Sequence, residues 1–115
     1  MGEVARAMVS LSGPGAVHGI IPGPLLQYEA SGGVPEEGVY GRTTVVPDMH
    51  ARKHMMAREV MEGGPGGGFV ALSGGYGTLE EVMEVTTWGQ LNIHTRGICL
   101  LNVDGCKSVL REVNW

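Results

Sequence analysis

The stretch Phe69-Val70-Ala71-Leu72-Ser73-Gly74-Gly75-Tyr76-Gly77-Thr78-Leu79-Glu80-Glu81 decides the fold. Phe69 to Leu72 is an apolar run. Beyond the glycines, Leu79, Val82, Met83 and Thr86 recur at i, i+3, i+4 and i+7, the spacing of one helix face. The glycines therefore mark a strand-to-helix turn. The first N–H groups of a helix have no partner within it. With the positive end of the helix dipole they form an anion site, most often for phosphate. Glycines there let the backbone approach closely and adopt positive φ. The plainer reading is that a tight turn needs glycine whatever it binds.

Glu81 also has two readings. Thr78 and Glu81 stand three apart, the spacing of a capping box, which would make Glu81 a structural cap. Alternatively, with Leu79 as the buried direction, Glu81 lies roughly 200° away around the helix, beside Val85 and Trp88. A carboxylate flanked by a valine and a tryptophan is not a plain solvated face. It suggests a face covered by a second subunit.

Outward from this turn, strands and helices alternate. Gly2 to Leu11 reads as a helix broken by Ser12-Gly13-Pro14-Gly15, and Ala16 to Ile21 as a strand ended by Pro22. His18 in it reads as a packed or edge residue rather than a ligand. Pro24 suits the start of a short helix to about Tyr28. Ala30 to Gly41 reads as a loop, and the β-branched Arg42 to Val46 as a second strand. Asp48 is placed to cap a helix from Met49 to Met61, in which Met49, Met56 and Val60 form an apolar stripe read as core. His50 and His54 are spaced as half a metal site, but no HExxH pattern or third carboxylate accompanies them, so no metal is expected. Arg52 and Lys53 lie early in that helix, where positive charge opposes the dipole. That placement suggests a nearby anion, although Asp48 offers a neutralising charge. Glu62 to Gly68 reads as a flexible linker. A fourth strand is expected from Gly97 to Val103, a turn at Asp104-Gly105, and a last helix from Lys107 to Trp115.

The alternation implies parallel βαβ units, an α/β fold with an open sheet whose ligands bind beyond the carboxyl ends of the strands. The 115 residues suffice for one small domain. A net charge of −4 with no basic stripe argues against nucleic acid as a partner. Cys99 and Cys106 make no metal or disulfide framework, which suits a reducing compartment, and Cys99 in its apolar run reads as a buried thiol. No apolar stretch is long enough to span a membrane, so a soluble cytoplasmic protein is expected.

Met49-His50-x-Arg52-Lys53 followed by Gly74-Gly75-x-Gly77-Thr78-x-x-Glu81 resembles the LONELY GUY family, cytokinin riboside 5′-monophosphate phosphoribohydrolases related to "lysine decarboxylase-like" proteins. Gly19-Ile20-Ile21-Pro22 with Glu29, Thr87-Trp88-x-Gln90-Leu91 and Leu101 to Gly105 extend the resemblance over nearly the whole chain. It implies a Rossmann-like open parallel sheet with flanking helices, residues 1–115 forming a single, partial domain of that kind. The implied enzyme is a homodimer or larger that cleaves the N-glycosidic bond of N6-substituted AMP, without metal or redox cofactor. By position, the resemblance makes Arg52 and Glu81 the catalytic pair. It makes Glu29, Lys53, Gly74, Gly75, Tyr76, Gly77, Thr78, Leu79, Glu80 and Thr87 contacts of the nucleoside 5′-monophosphate.

Three features depart from the family pattern. Ser73 stands where proline is usual, and the Glu62 to Gly68 tract is longer than the usual connection. The resemblance also implies that the family's first strand, a helix and a second strand precede Gly2, and that the last helix is cut. The sheet is then expected to expose apolar edges, and the chain to be weakly active or inactive. The competing expectation is a catalytically dead nucleotide-binding or dimerisation module. Amino-acid decarboxylation ranks last, because no lysine stands in a context suited to a Schiff base with pyridoxal phosphate.

Overall fold

The computed structural model describes residues 2–28 and 32–101. They fall into two compact units, one reaching Met56 and the other starting at Ala57.

In the first unit, α1 (Gly2–Ser12) ends where Gly13 takes φ +84 and Pro14 follows, which cannot continue a helix. A 3₁₀ turn (Pro14–Ala16) leads into β1 (His18–Pro22), and a second 3₁₀ segment (Gly23–Tyr28) leaves it. Next come a one-turn helix α2 (Glu37–Tyr40) and β2 (Arg42–Val46). The strands pair in parallel, from His18 with Arg42 to Pro22 with Val46. His18 Nε2 lies 2.7 Å from Thr44 Oγ1 across the pair, so it is the packed edge residue expected. α2 falls in the stretch read as a loop. Its four residues are too few to show a helical period. Gly41 closes it with φ +82, and a Cβ there would stand 2.6 Å from that of Val17. Only glycine lets β2 begin so close to that residue.

α3 (Met49–Met61) starts as expected at Asp48, whose Oδ1 accepts the Ala51 N–H at 2.8 Å. Its covered side runs through Lys53, Ala57, Val60 and Met61, with Ala57 buried. The methionine stripe read as core is therefore corrected: Met49 and Met56 are 44% and 39% exposed. The helix turns its small alanine inward, where close packing is easiest, and Met49 and Met56 lie outside it.

In the second unit, β3 (Gly68–Ala71) and β4 (Gly97–Leu100) pair in parallel, Gly68 with Gly97 through Ala71 with Leu100, and α4 (Tyr76–Gln90) is the crossover between them. This is the helix-linked parallel pair expected of an α/β fold. Among the described residues the four strands pair two by two. Phe69 and Ile98 are half-buried on one face, while Val70 and Cys99 are exposed on the other. Cys99 is therefore not the buried thiol expected. A short apolar run looks the same whether one face of a strand is covered or both. Val70 (65% exposed) and Leu100 (50%) stand on opposite faces of the pair.

His94 is the buried polar residue of this unit among the described residues. Its Nε2 donates to the Val85 carbonyl at 2.7 Å, and its Nδ1 accepts the Arg96 N–H at 3.1 Å. A donor aimed at Nδ1 assigns the proton to Nε2. The Arg96 guanidinium donates to the carbonyls of Met61 (3.2 Å), Gly63 (2.9 Å) and Gly64 (3.0 Å). The Glu62 to Gly68 tract, expected to be a flexible linker, is thus pinned at its start, and the open carbonyl end of α3 gains charged donors.

Glu29 and Ala30 lie outside the described residues. So do the expected end of the fourth strand, the Asp104-Gly105 turn, Cys106 and the helix from Lys107. No helix of the described residues is long and apolar enough to cross a membrane.

Candidate active site

α4 begins directly from the glycine turn. Its N-cap is Gly75 (φ −96, ψ −157), with no side-chain hydrogen bond closing the end. The first helical bond runs from the Leu79 N–H to the Gly75 carbonyl, at 3.2 Å. The N–H groups of Tyr76, Gly77 and Thr78 precede it and face out of the helix end. Thr78 is therefore inside the first turn and does not cap it. Three residues beyond the true cap stands Thr78, and Glu81 is six beyond it, so the capping-box reading of Glu81 is overturned.

Ser73 through Gly77 are all exposed. The three glycines of the turn differ in what they permit. A Cβ on Gly74 would collide with the Thr78 side chain, whereas one on Gly75 or Gly77 would meet nothing within 4 Å. None of the three has positive φ; the described glycines that do are Gly13, Gly32, Gly41 and Gly66. The expectation of positive φ at this turn is corrected accordingly. Gly75 and Gly77 leave open space over the helix end, and the chain's own packing does not require them to be glycine.

Glu81, Val85 and Trp88 are half-buried along one side of α4. Part of that side is covered by the chain itself. His94 bonds to the Val85 carbonyl, and a Cβ on Gly89 would stand 3.5 Å from His94 Cε1. Leu79 is half-buried, while Glu80 and Thr87 are exposed seven residues apart. The Thr87 hydroxyl donates to the Met83 carbonyl at 2.9 Å. Twelve residues separate Thr87 from Gly75, roughly 18 Å along the axis, so the structure does not bring Thr87 to the turn.

Arg52 and Lys53 are half-buried on α3 and belong to the first unit, whereas the turn, Glu81 and Thr87 belong to the second. The Arg52 N–H donates to the Asp48 carbonyl at 3.2 Å. The exposed rings of His50 and His54 meet edge to face with centroids 5.4 Å apart. Among the described residues no three or more His, Cys, Asp or Glu gather as a metal site would need. Sequence reasoning missed His94 and Arg96. Apart from the bond between them, their partners stand 9 to 35 residues away, so no local spacing announced them.

A family model described as "possible lysine decarboxylase" matches residues 1–113. A cytokinin riboside 5′-monophosphate phosphoribohydrolase of Arabidopsis thaliana is 46% identical over 91% of the chain and 40% of its own length. The chain belongs to the LONELY GUY family. This LONELY GUY chain is also 60% identical, over its full length, to 24% of a bifunctional cytokinin biosynthesis protein of Fusarium pseudograminearum (strain CS3096). It is 48% identical over 91% of its length to a rice protein (Oryza sativa subsp. japonica) named a probable cytokinin riboside 5′-monophosphate phosphoribohydrolase, covering 40% of that protein. The chain thus spans from 24% to 40% of the length of these relatives.

Proposed function

We propose that this LONELY GUY chain hydrolyses the N-glycosidic bond of cytokinin riboside 5′-monophosphates, N6-substituted forms of AMP, to the free base and ribose 5-phosphate. The observation that carries this reading is the open start of α4. Three outward N–H groups and uncovered glycines suit a phosphate, and Glu81 follows on the same helix. The names of the Arabidopsis and rice relatives support it.

In the reaction the bond from C1′ to the base nitrogen breaks, water supplies hydroxide to C1′, and the base takes up a proton. The Glu81 carboxylate stabilises the oxocarbenium-like transition state and assists the water. Arg52 holds the phosphate or eases departure of the base. Glu29, Lys53 and Gly74 through Glu80 contact the nucleotide. The chain acts in the cytoplasm as one domain and self-associates through the side of α4 carrying Glu81, Val85 and Trp88. Sedimentation is expected to give a dimer or larger; a well-folded monomer at micromolar concentration counts against the self-association.

A second reading is a nucleotide-binding or dimerisation module without turnover. The exposed Val70, Leu100 and Leu101 favour it, since apolar strand surface of this kind is commonly covered by another chain. One experiment separates the two. The full chain is incubated with isopentenyladenosine monophosphate, AMP and unphosphorylated isopentenyladenosine, and free base and ribose 5-phosphate are measured. Release from a monophosphate supports hydrolysis. Binding without release supports the module. Equal turnover of riboside and monophosphate removes the argument for a phosphate site.

A further inference from the structure

We propose that His94 is a positioning residue for this site, acting through α4. The inference rests on the proposed function for its kinetic arm only. α4 has no fully buried residue, so apolar packing grips it weakly. Its tether is the bond from His94 Nε2 to the Val85 carbonyl, one helical turn beyond Glu81 on the same side. The imidazole also lies against the Phe69 ring of β3, with centroids 5.5 Å apart, and takes the Arg96 N–H at the entrance to β4. One buried ring therefore joins β3, β4 and α4. Those contacts fix the angle at which α4 leaves the turn, and with it the direction of the open N–H groups and of Glu81. Arg96 steadies the arrangement from behind by holding the carbonyls of Met61, Gly63 and Gly64. His94 itself touches no reacting atom in this scheme.

Two substitutions in the full chain divide the ring's two bonds. His94→Gln places an amide donor near the position of Nε2 and keeps the bond to Val85. His94→Asn places an acceptor near Nδ1, keeps the Arg96 bond and cannot reach Val85. With saturating isopentenyladenosine monophosphate, kcat is expected to fall about tenfold or more in His94→Asn and less than about threefold in His94→Gln. Hydrogen exchange of the amides of residues 76–90 should quicken in His94→Asn and stay near wild type in His94→Gln. A merely structural histidine would lower the melting temperature of both variants and leave kcat of the folded protein intact, which overturns the proposal. Equal loss in both variants also overturns it, because the Val85 bond would then not be the tether. If the wild type turns over no monophosphate, the proposed function fails while the exchange comparison still decides the role of His94. Should His94→Asn not fold, Phe69→Leu removes the ring contact and leaves both hydrogen bonds. A kcat loss of about two- to fivefold with faster exchange in α4 is expected; no change in either measure counts against positioning.

Discussion

α3 and α4 begin in opposite ways. α3 starts at Asp48, whose carboxylate takes up an N–H of the first turn. α4 starts at Gly75, where no side chain does so. Both helices carry the same dipole and the same unpaired N–H groups at their ends. One chain thus contains a helix end that is closed from within and one that is left open to solvent. A side-chain cap stabilises a helix by about 1 kcal/mol over alanine but by only a few tenths over glycine, so the open end at Gly75 forgoes a small stability that Ser, Asn or Asp would have supplied. That loss is understandable if the donors of α4 are kept for a ligand. The two ends predict opposite responses to mutation, and the contrast can be broken at either.

The largest expected effect lies on α4. Glu81→Gln should lower turnover of isopentenyladenosine monophosphate by about 10²-fold or more, through loss of the charge facing the oxocarbenium. Because α4 is not capped through Thr78 and Glu81, no helix cap is lost, and phosphate binding measured by calorimetry should persist. Near wild-type turnover would remove Glu81 from the catalytic role. Next in size is Gly75→Asp. Its backbone is extended and an added Cβ meets nothing within 4 Å, so aspartate fits there without strain. It would close α4 as Asp48 closes α3, raising stability by a few tenths of a kcal/mol. The new carboxylate would occupy the donors and repel a phosphate. KM for the monophosphate should rise about tenfold or more, the scale of a hydrogen bond to a charged group. A variant that is stabilised and still binds phosphate normally would show that the open end serves no anion.

The same contrast explains what the sequence could disclose. Asp48 before Met49 announced a capped helix, and the structure begins α3 there. Apolar and β-branched runs located the four described strands, and helical spacing from Leu79 to Thr86 located α4, because those patterns are local. The start of α4 was misread by three residues. Thr78 is a common cap, and nothing local says that Gly75 takes that role instead. Burial was less legible still. Cys99 and Val70 sit in apolar runs, but whether the second face of a strand is covered depends on neighbours outside the run. His94 and Arg96 owe their meaning to carbonyls that only folding brings near. For the candidate site, the sequence supplied the turn and Glu81 as a helix residue. Arg52 and Lys53 stand where expected on α3.

The smallest effect belongs to the closed end. Asp48→Ala should cost about 1 kcal/mol in chemical denaturation, by leaving the Ala51 N–H without its side-chain acceptor. Asp48 has a second possible role, since its charge lies near the beginning of the turn that carries Arg52. Asp48→Asn separates the two. Asparagine caps a helix about as well as aspartate but carries no charge. The Arg52 N–H bonds to the backbone carbonyl of residue 48, which both variants retain. If the hydrogen bond is what closes α3, Asp48→Asn should stay within a few tenths of a kcal/mol of wild type while Asp48→Ala does not. An asparagine variant as unstable as the alanine one would mean that the charge, facing the dipole and the Arg52–Lys53 pair, does the stabilising. The closed end would then be an electrostatic arrangement, and its contrast with α4 would be one of charge and not of hydrogen bonding.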